Sequence, residues 1–390
     1  MTESKKFSMK GFITEICEDI GPRLGTSESE KRAGLRIKEI LEDFTNGVEL
    51  EDFECHPKGF LEFLKVAFVA GVVGFIFFFF LPIISFFLCI YVLSTFIMEQ
   101  MLLKEYVDFL FPKRTGTNVI GKLKSRQEPK KIVIFSAHHD SAYEFPLFDK
   151  FKEKFGLLAY VTAALMILSA VASLVKFILD LLEMSTITST LILLIFPVLA
   201  LILGAYIAFN LHSDKLILGA NDNLSGVAVV IALAEHFSQH TPKNIELWFI
   251  SFSCEECMRG SKRFAQRHKD ELKDSNFINF DMVGCGNISV ISKEPQFTSR
   301  HSKELAKEFH QASINANSEL PIKTMEFGGT DAANLTKAGL KAISVMGLTP
   351  HDYPATWHVM EDTPENIDKV LLEKTVKVSI QYVQDLDSNL

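Results

Sequence analysis

A stretch of 33 residues, Val66–Met98, contains no Asp, Glu, Lys, Arg or His. A second apolar stretch follows, in which only Lys176, Asp180 and Glu183 are charged between Lys154 and His212. Runs of this length and apolarity read as membrane spans, and they constrain the chain more than any other feature. As a single helix the first run would be about 50 Å long, against a hydrocarbon core of about 30 Å. Two short passes meeting near Leu81–Pro82 fit better. The second run divides into Gly156–Val175 and Ile187–Asn210, joined by a turn carrying Lys176 to Ser185. The competing reading is a set of buried core helices, but the consecutive rings of Phe77–Phe80 are hard to pack that way.

If the residues before Val66 and after Met98 belong to one globular domain, both lie on the same side of the bilayer. Each run must then cross an even number of times. The expectation is two transmembrane helical hairpins, residues 61–98 and 156–209, four helices in all. They interrupt one domain assembled from residues 1–60, 99–155 and 210–390. Lys58, Lys65, Lys104, Lys113, Arg114, Lys150, Lys152, Lys154 and Lys215 flank the spans on the domain side, whereas the other side offers only Lys176. The positive-inside rule places the domain in the cytoplasm. The sequons at Asn223 and Asn334 agree, because a glycan there would obstruct the motifs that contain them. The start, MTESKKFSMK, has no apolar core after it, so no cleaved signal peptide is expected.

The net charge of −8 argues against nucleic acid as a partner. The six cysteines form no regular framework and read as free thiols. Cys254 and Cys257 have a C-x-x-C spacing, but a zinc ribbon needs a second such pair, so they read as core thiols.

Outside the two runs the pattern alternates strand and helix. Residues 8–42 read as amphipathic helix broken by Gly21, Pro22 and Gly25, with Thr26 or Ser27 as a cap, and residues 48–54 alternate like a half-buried strand. Short apolar strands are expected at Lys131–Ser136, Ile245–Phe252, Phe277–Phe280, Ile288–Ile291 and Ala342–Met346, and helices at Ser225–Phe237 and Ser261–Lys269. The fold class is therefore α/β, with a mixed, mostly parallel central sheet flanked by helices.

Five motifs stand out, most at the C-terminal end of a strand or just after it, where open α/β sheets place their ligand sites. They are Ala137-His138-His139-Asp140-Ser141, Gly219-Ala220-Asn221-Asp222-Asn223, Glu255-Glu256 followed by Gly260-Ser261, Asn279-Phe280-Asp281-Met282, and Trp357-His358 followed by Glu361-Asp362-Thr363-Pro364-Glu365-Asn366. Each alone is weak. Together they supply imidazoles and carboxylates suited to Zn²⁺, with Mn²⁺ or Co²⁺ also accommodated.

This ordered set resembles the di-zinc exopeptidases of family M-28 in clan MH, the bacterial leucyl aminopeptidase type. The order is H-x-D, D-N-x-S-G, E-E-x-x-x-G-S, a strand-end Asp, and a late His before D-T-x-E-N. It spans nearly all the residues outside the apolar runs, and residues 19–40 also look like the family's N-terminal segment. The hairpins depart from the minimal soluble pattern.

The resemblance implies two Zn²⁺ ions. His138 and Asp281 would bind one, Glu256 and His358 the other, and Asp222 would bridge them. Glu255 would be the general base, and Asp140 would orient His138. His139 would pack or face solvent. Gly329, Thr330 and Asp331 match a segment lining the substrate pocket. The implied activity is membrane-anchored hydrolysis of N-terminal residues from peptides by a metal-activated water. Its partners would be peptide substrates and a lipid bilayer.

Residues 141–155 separate Asp140 from the second hairpin, and Asn210 precedes Asp222 closely, so the rim of the site is expected near the bilayer surface. The alternatives are a glutaminyl-cyclase-like acyltransferase, which shares the H-x-D, the paired glutamates and a late Trp-His, and a non-catalytic membrane scaffold on the same fold. Carboxypeptidase and dipeptidase activities also stay open.

Overall fold

The computed structural model describes residues 7–390. The first six residues, part of the start for which no signal peptide is expected, lie outside that range. In chain order the elements are α1 (Met9–Asp19), α2 (Glu28–Glu42), β1 (Gly47–Cys55), α3 (Gly59–Phe80), α4 (Pro82–Phe96), β2 (Arg114–Leu123), β3 (Lys131–His138), α5 (Pro146–Phe151), α6 (Phe155–Leu181) and α7 (Ile187–Asn210). There follow α8 (Gly226–Gln239), β4 (Ile245–Phe252), α9 (Gly260–His268), β5 (Asn276–Asp281), β6 (Asn287–Glu294), β7 (Ser299–Arg300), α10 (Lys303–Asn315), β8 (Ile322–Thr324), α11 (Asp331–Lys337), β9 (Lys341–Leu348) and α12 (Lys369–Ser388).

Two compact units result. The first comprises Met1–Pro57, Lys113–Glu144 and Asp214–Leu390, and the second Lys58–Pro112 and Phe145–Ser213. The first is built on one sheet in the order β1-β2-β4-β3-β5-β9-β6-β7, with β8 beside β6. The four central strands β4, β3, β5 and β9 run parallel, and the flanks are largely antiparallel.

Side chains alternate across this sheet because strand periodicity is two. Val133, Phe135, Phe249, Ile278 and Phe280 face one layer, with Phe12, Ile37, Val230, Phe309 and Leu372 from the helices. Ile134, Trp248, Ile250 and Phe277 face the other, with Phe264 and Leu335. The Phe135 ring stacks on Phe249 and Phe280 at 6.3 and 5.8 Å, a row across three strands that fixes their register.

The chain leaves this unit twice and returns beside its point of departure each time. Cys55 pairs with Arg114 at the end of the β1–β2 ladder. Tyr143 bridges Leu216, and the Glu144 N–H donates to the Lys215 carbonyl at 2.9 Å.

In the second unit α3 packs on α4 and α7, and α6 packs on α4 and α7, closing a ring of four helices. The helical stretches Gly59–Phe80, Pro82–Met101, Pro146–Leu181 and Ile187–Asn210, which contain these four helices, are each long and apolar enough to cross a membrane. Their outward residues are large and apolar, with Phe80 76% and Ile187 82% exposed, a surface that water does not favour. Small residues lie inside, including Ala170, Ala172, Ser173 and Ala200, and Ser85 Oγ meets Ser173 Oγ at 2.9 Å. Pro82 starts α4, which explains the break near Leu81. Helix α6 runs six residues past the expected Val175, because Lys176 and Asp180 pair one turn apart at 2.6 Å and extend it.

Candidate metal centre

Parallel strands end at one edge of the sheet, and the motifs converge there. His138 is the last residue of β3 and Asp281 the last of β5. Glu255 and Glu256 follow β4, and His358 lies on the loop after β9. Asp222 occupies the turn that leads into α8.

His138 Nε2 lies 3.2 Å from Asp222 Oδ1, 3.6 Å from Glu255 Oε2 and 3.9 Å from Asp281 Oδ1. His358 Nε2 lies 2.9 Å from Glu256 Oε2 and 3.4 Å from Asp222 Oδ2. Asp222 thus offers one carboxylate oxygen to each imidazole. One ligand atom each from His138, Asp222 and Glu256 fall within 4.8 Å of one another.

Residues 203–383 match the model of Peptidase family M28. The match contains Asp222, Glu255, Glu256, Asp281, Asp331 and His358, and it begins after His138 and Asp140. Among solved structures, a zinc aminopeptidase from Bacillus subtilis is similar at a TM-score of 0.57 and 15% identity, covering 98% of this chain and 96% of that one. A glutaminyl cyclase from Bacteroides thetaiotaomicron bound to N-acetylhistamine is similar at 0.57 and 15%, covering 98% and 99%. A leucine aminopeptidase precursor from the same organism gives 0.56 and 15%, covering 98% and 99%. The fold is therefore that of the zinc exopeptidases. No curated protein matches the chain.

The donors suit a divalent cation. Glu256 Oε1 and Asp281 Oδ1 are buried and meet no hydrogen-bond partner among the described residues. Asp140, Asp222, Glu255, Glu256, Asp281 and Asp331 bring six carboxyl groups into or beside this pocket, and five of them are buried. Buried carboxylates without donors are costly unless a cation offsets them. Oxygen and imidazole donors at a strand-end edge are what Zn²⁺ takes.

Local charges set the protonation. Burial pushes Glu255 well above the ordinary carboxyl range, opposed by His138 and reinforced by Asp331, Asp281 and Glu256. Burial also raises Asp222, but the hydrogen bond to His138 and the charges of both histidines and Arg23 overcome it and hold Asp222 below its usual value. His139 is buried rather than solvent-facing. Burial lowers it to about 4, and Nδ1 meets Ser251 Oγ at 2.8 Å.

Asp140 organises the turn that carries both glutamates. Its Oδ1 accepts the Glu255 N–H at 3.0 Å and Oδ2 the Glu256 N–H at 3.1 Å, while His138 Nδ1 sits 3.3 Å from Oδ1. The Asp222 turn is held on every side. Asn223 Nδ2 donates to the Phe280 carbonyl at 2.8 Å, and Asn221 Oδ1 accepts the Gly284 N–H at 2.7 Å. Asp362 accepts the Asn221 and Asp222 N–H groups at 2.5 and 3.0 Å. Burial pushes Asp362 to about 7. The sequence marks Asp362 only as part of a motif, without a role.

Of the three pocket candidates, Thr330 and Asp331 are fully buried and Gly329 is partly exposed. Thr330 caps α11 and donates Oγ1–H to Glu294 Oε1 at 2.7 Å. Any side chain at Gly329 would overlap the Phe297 ring, 1.7 Å from an added Cβ. Burial raises Asp331 to about 7, and its charge acts on Glu255 and Asp281. Cys254 and Cys257 are buried free thiols. Asn223 and Asn334 are buried, and Asn334 donates to Met258 O and Ser261 Oγ, whereas Asn287, in a third sequon, is exposed. Neither Asn223 nor Asn334 can carry a glycan on either side of a membrane, so those two sequons say nothing about orientation.

Proposed function

We propose that this chain is a membrane-anchored, zinc-dependent exopeptidase that removes N-terminal residues from peptides. The observation that carries the reading is Asp222, whose two oxygens each reach a different histidine inside a buried carboxylate pocket. His138 and Asp281 would hold one zinc ion and Glu256 and His358 a second, with Asp222 shared between them. Such a pair lowers the pKa of a water and polarises a carbonyl oxygen.

The protein's own groups do the rest. Glu255 takes a proton from the attacking water at Oε2 and delivers it to the leaving amine nitrogen. Asp140, 3.3 Å from His138 Nδ1, orients that ring, and its grip on the Glu255 and Glu256 amides fixes the turn from which Glu256 would bind metal and Glu255 would take the proton.

The four long apolar stretches support anchoring in a bilayer, and the excess of lysines flanking them on one side supports a cytoplasmic catalytic unit. A glutaminyl-cyclase-like transfer is the second reading, favoured by Trp357, whose ring lies 4.9 Å from that of His358. Digestion of a peptide library by detergent-purified protein, with and without chelator, tests the proposal. Zinc-restored release of N-terminal residues is expected. Cyclisation of N-terminal glutamine without peptide cleavage would replace it with the second reading.

A further inference from the structure

Two buried side chains, Arg23 from the segment joining α1 to α2 and Glu30 from the first turn of α2, reach the loops that carry the candidate ligand carboxylates. Neither lies within the stretch that matches the family model.

Arg23 is fully buried. Its Nε donates to the His139 carbonyl at 2.8 Å, Nη1 to the Gly21 and Leu218 carbonyls at 2.9 and 2.8 Å, and Nη2 to the Gly219 carbonyl at 3.0 Å. Its backbone N–H donates to Ser141 Oγ at 2.9 Å, and the Ser141 N–H returns a bond to the Arg23 carbonyl at 3.0 Å. One residue therefore ties residues 139–141, just past His138, to residues 218–219, just before Asp222. A planar fork of donors does this where a point-like ammonium cannot. The corner it grips needs glycine. Gly219 has φ +62°, and an added Cβ would lie 2.4 Å from the Asp222 carbonyl oxygen and 2.9 Å from Arg23 Nη2.

Glu30 serves the other loop. It sits in the first turn of α2, where Ser27 Oγ caps the helix by accepting the Glu30 N–H at 3.1 Å and Glu30 Oε2 reaches back past the cap to accept the Thr26 N–H. A capping glutamate usually leaves its second oxygen in solvent. Here Oε1 accepts the Ser253 hydroxyl at 2.7 Å and the Cys254 N–H at 2.9 Å. Cys254 has φ +56°, at the bend immediately before Glu255. Three successive amides, 254 to 256, are thus held by Glu30 and Asp140.

We propose that Arg23 and Glu30 are positioning residues, Arg23 setting the corner that aims Asp222 and Glu30 the bend that aims Glu255 and Glu256. The inference rests on the metal-site reading above. It makes the segment 21–30 part of the reaction machinery, although no side chain from it touches the reacting atoms.

The test compares full-length wild type, R23K and E30Q in detergent, well below each variant's Tm. Zinc affinity of the metal-stripped protein is read by competition with a chromogenic chelator. Values of kcat and KM are read separately on a peptide that the wild type cleaves. Both variants should bind zinc about tenfold or more weakly and lose kcat by a similar factor, with KM little changed. Folded variants with wild-type zinc affinity and kcat, whatever their Tm, overturn the proposal and leave only a structural role. Should R23K and E30Q fail to fold, S141A and S253A, each removing one bond of the same contacts, decide by the same criteria. A wild type that binds no zinc overturns the metal-site reading and this inference together. Normal wild-type binding with indistinguishable variants overturns this inference alone.

Discussion

Asp362 accepts the N–H of Asp222 at 3.0 Å, so one buried carboxylate aims another. Replacing Asp362 by Asn turns an amide donor toward one of two backbone N–H groups and strands it. An unsatisfied buried donor costs about 1–3 kcal/mol. The expected result for D362N is a lower Tm and metal affinity or activity down about 10–100-fold. Isothermal titration with zinc checks the binding, and wild-type affinity in D362N would contradict the aiming role.

As the proposed base, Glu255 would separate proton transfer from metal binding. E255Q keeps volume and polarity but cannot take a proton. Zinc content should match the wild type while kcat falls about 10²–10⁴-fold, the usual worth of a positioned acid–base group. Metal analysis beside steady-state kinetics reads both, and near-normal turnover in E255Q rules out the assignment.

Zinc should also stabilise the protein. A ligand that binds only the folded state adds about 2.7 kcal/mol at a hundred times its dissociation constant. Stripping metal should lower Tm, and zinc should restore it. D222N should blunt the response, because it removes charge at the group both histidines share. An unchanged Tm on chelation and reloading argues against a structural contribution from the metal.

Away from the site, His268 and Glu51 pair at 2.7 Å between α9 and β1. The hydrogen bond to Glu51 raises His268 above 6.5, and His268 overcomes burial to hold Glu51 below 4.5. Stability from the raised histidine is complete below 6.5 and is lost as pH rises through its folded value. Stability from the depressed carboxylate is present above 4.5 and is lost as pH falls through its folded value. The pair is therefore at full strength between those limits. H268N should lower Tm more at about pH 5.5 than at about pH 9. Equal losses at both would remove the ionic account.

Much of this is legible in the residues themselves. Pro82 after an uncharged run marks a helix boundary, and Val133, Phe135, Ile278 and Phe280 alternate as buried strands do. His138 and Asp281 are readable as strand-end residues because the apolar runs stop at them. Strand β2 is not, because Gly116 and Gly121 interrupt its alternation. Arg23 and Glu30 are harder still. Many of their partners are backbone groups far along the chain, 224 positions away for Cys254 and Glu30, and backbone leaves no trace in a motif. Asp362 is visible as part of a pattern, but its task depends on a loop that only folding brings to it.

Cys55 faces Arg114 across one ladder, and Tyr143 faces Leu216 across another bridge. Each excursion into apolar helices is thus, for the sheet, an oversized turn whose two feet are already stitched together. Closing such a turn costs only slightly more as it lengthens. A lineage could add or shed its apolar hairpins at these seams without re-registering a single strand.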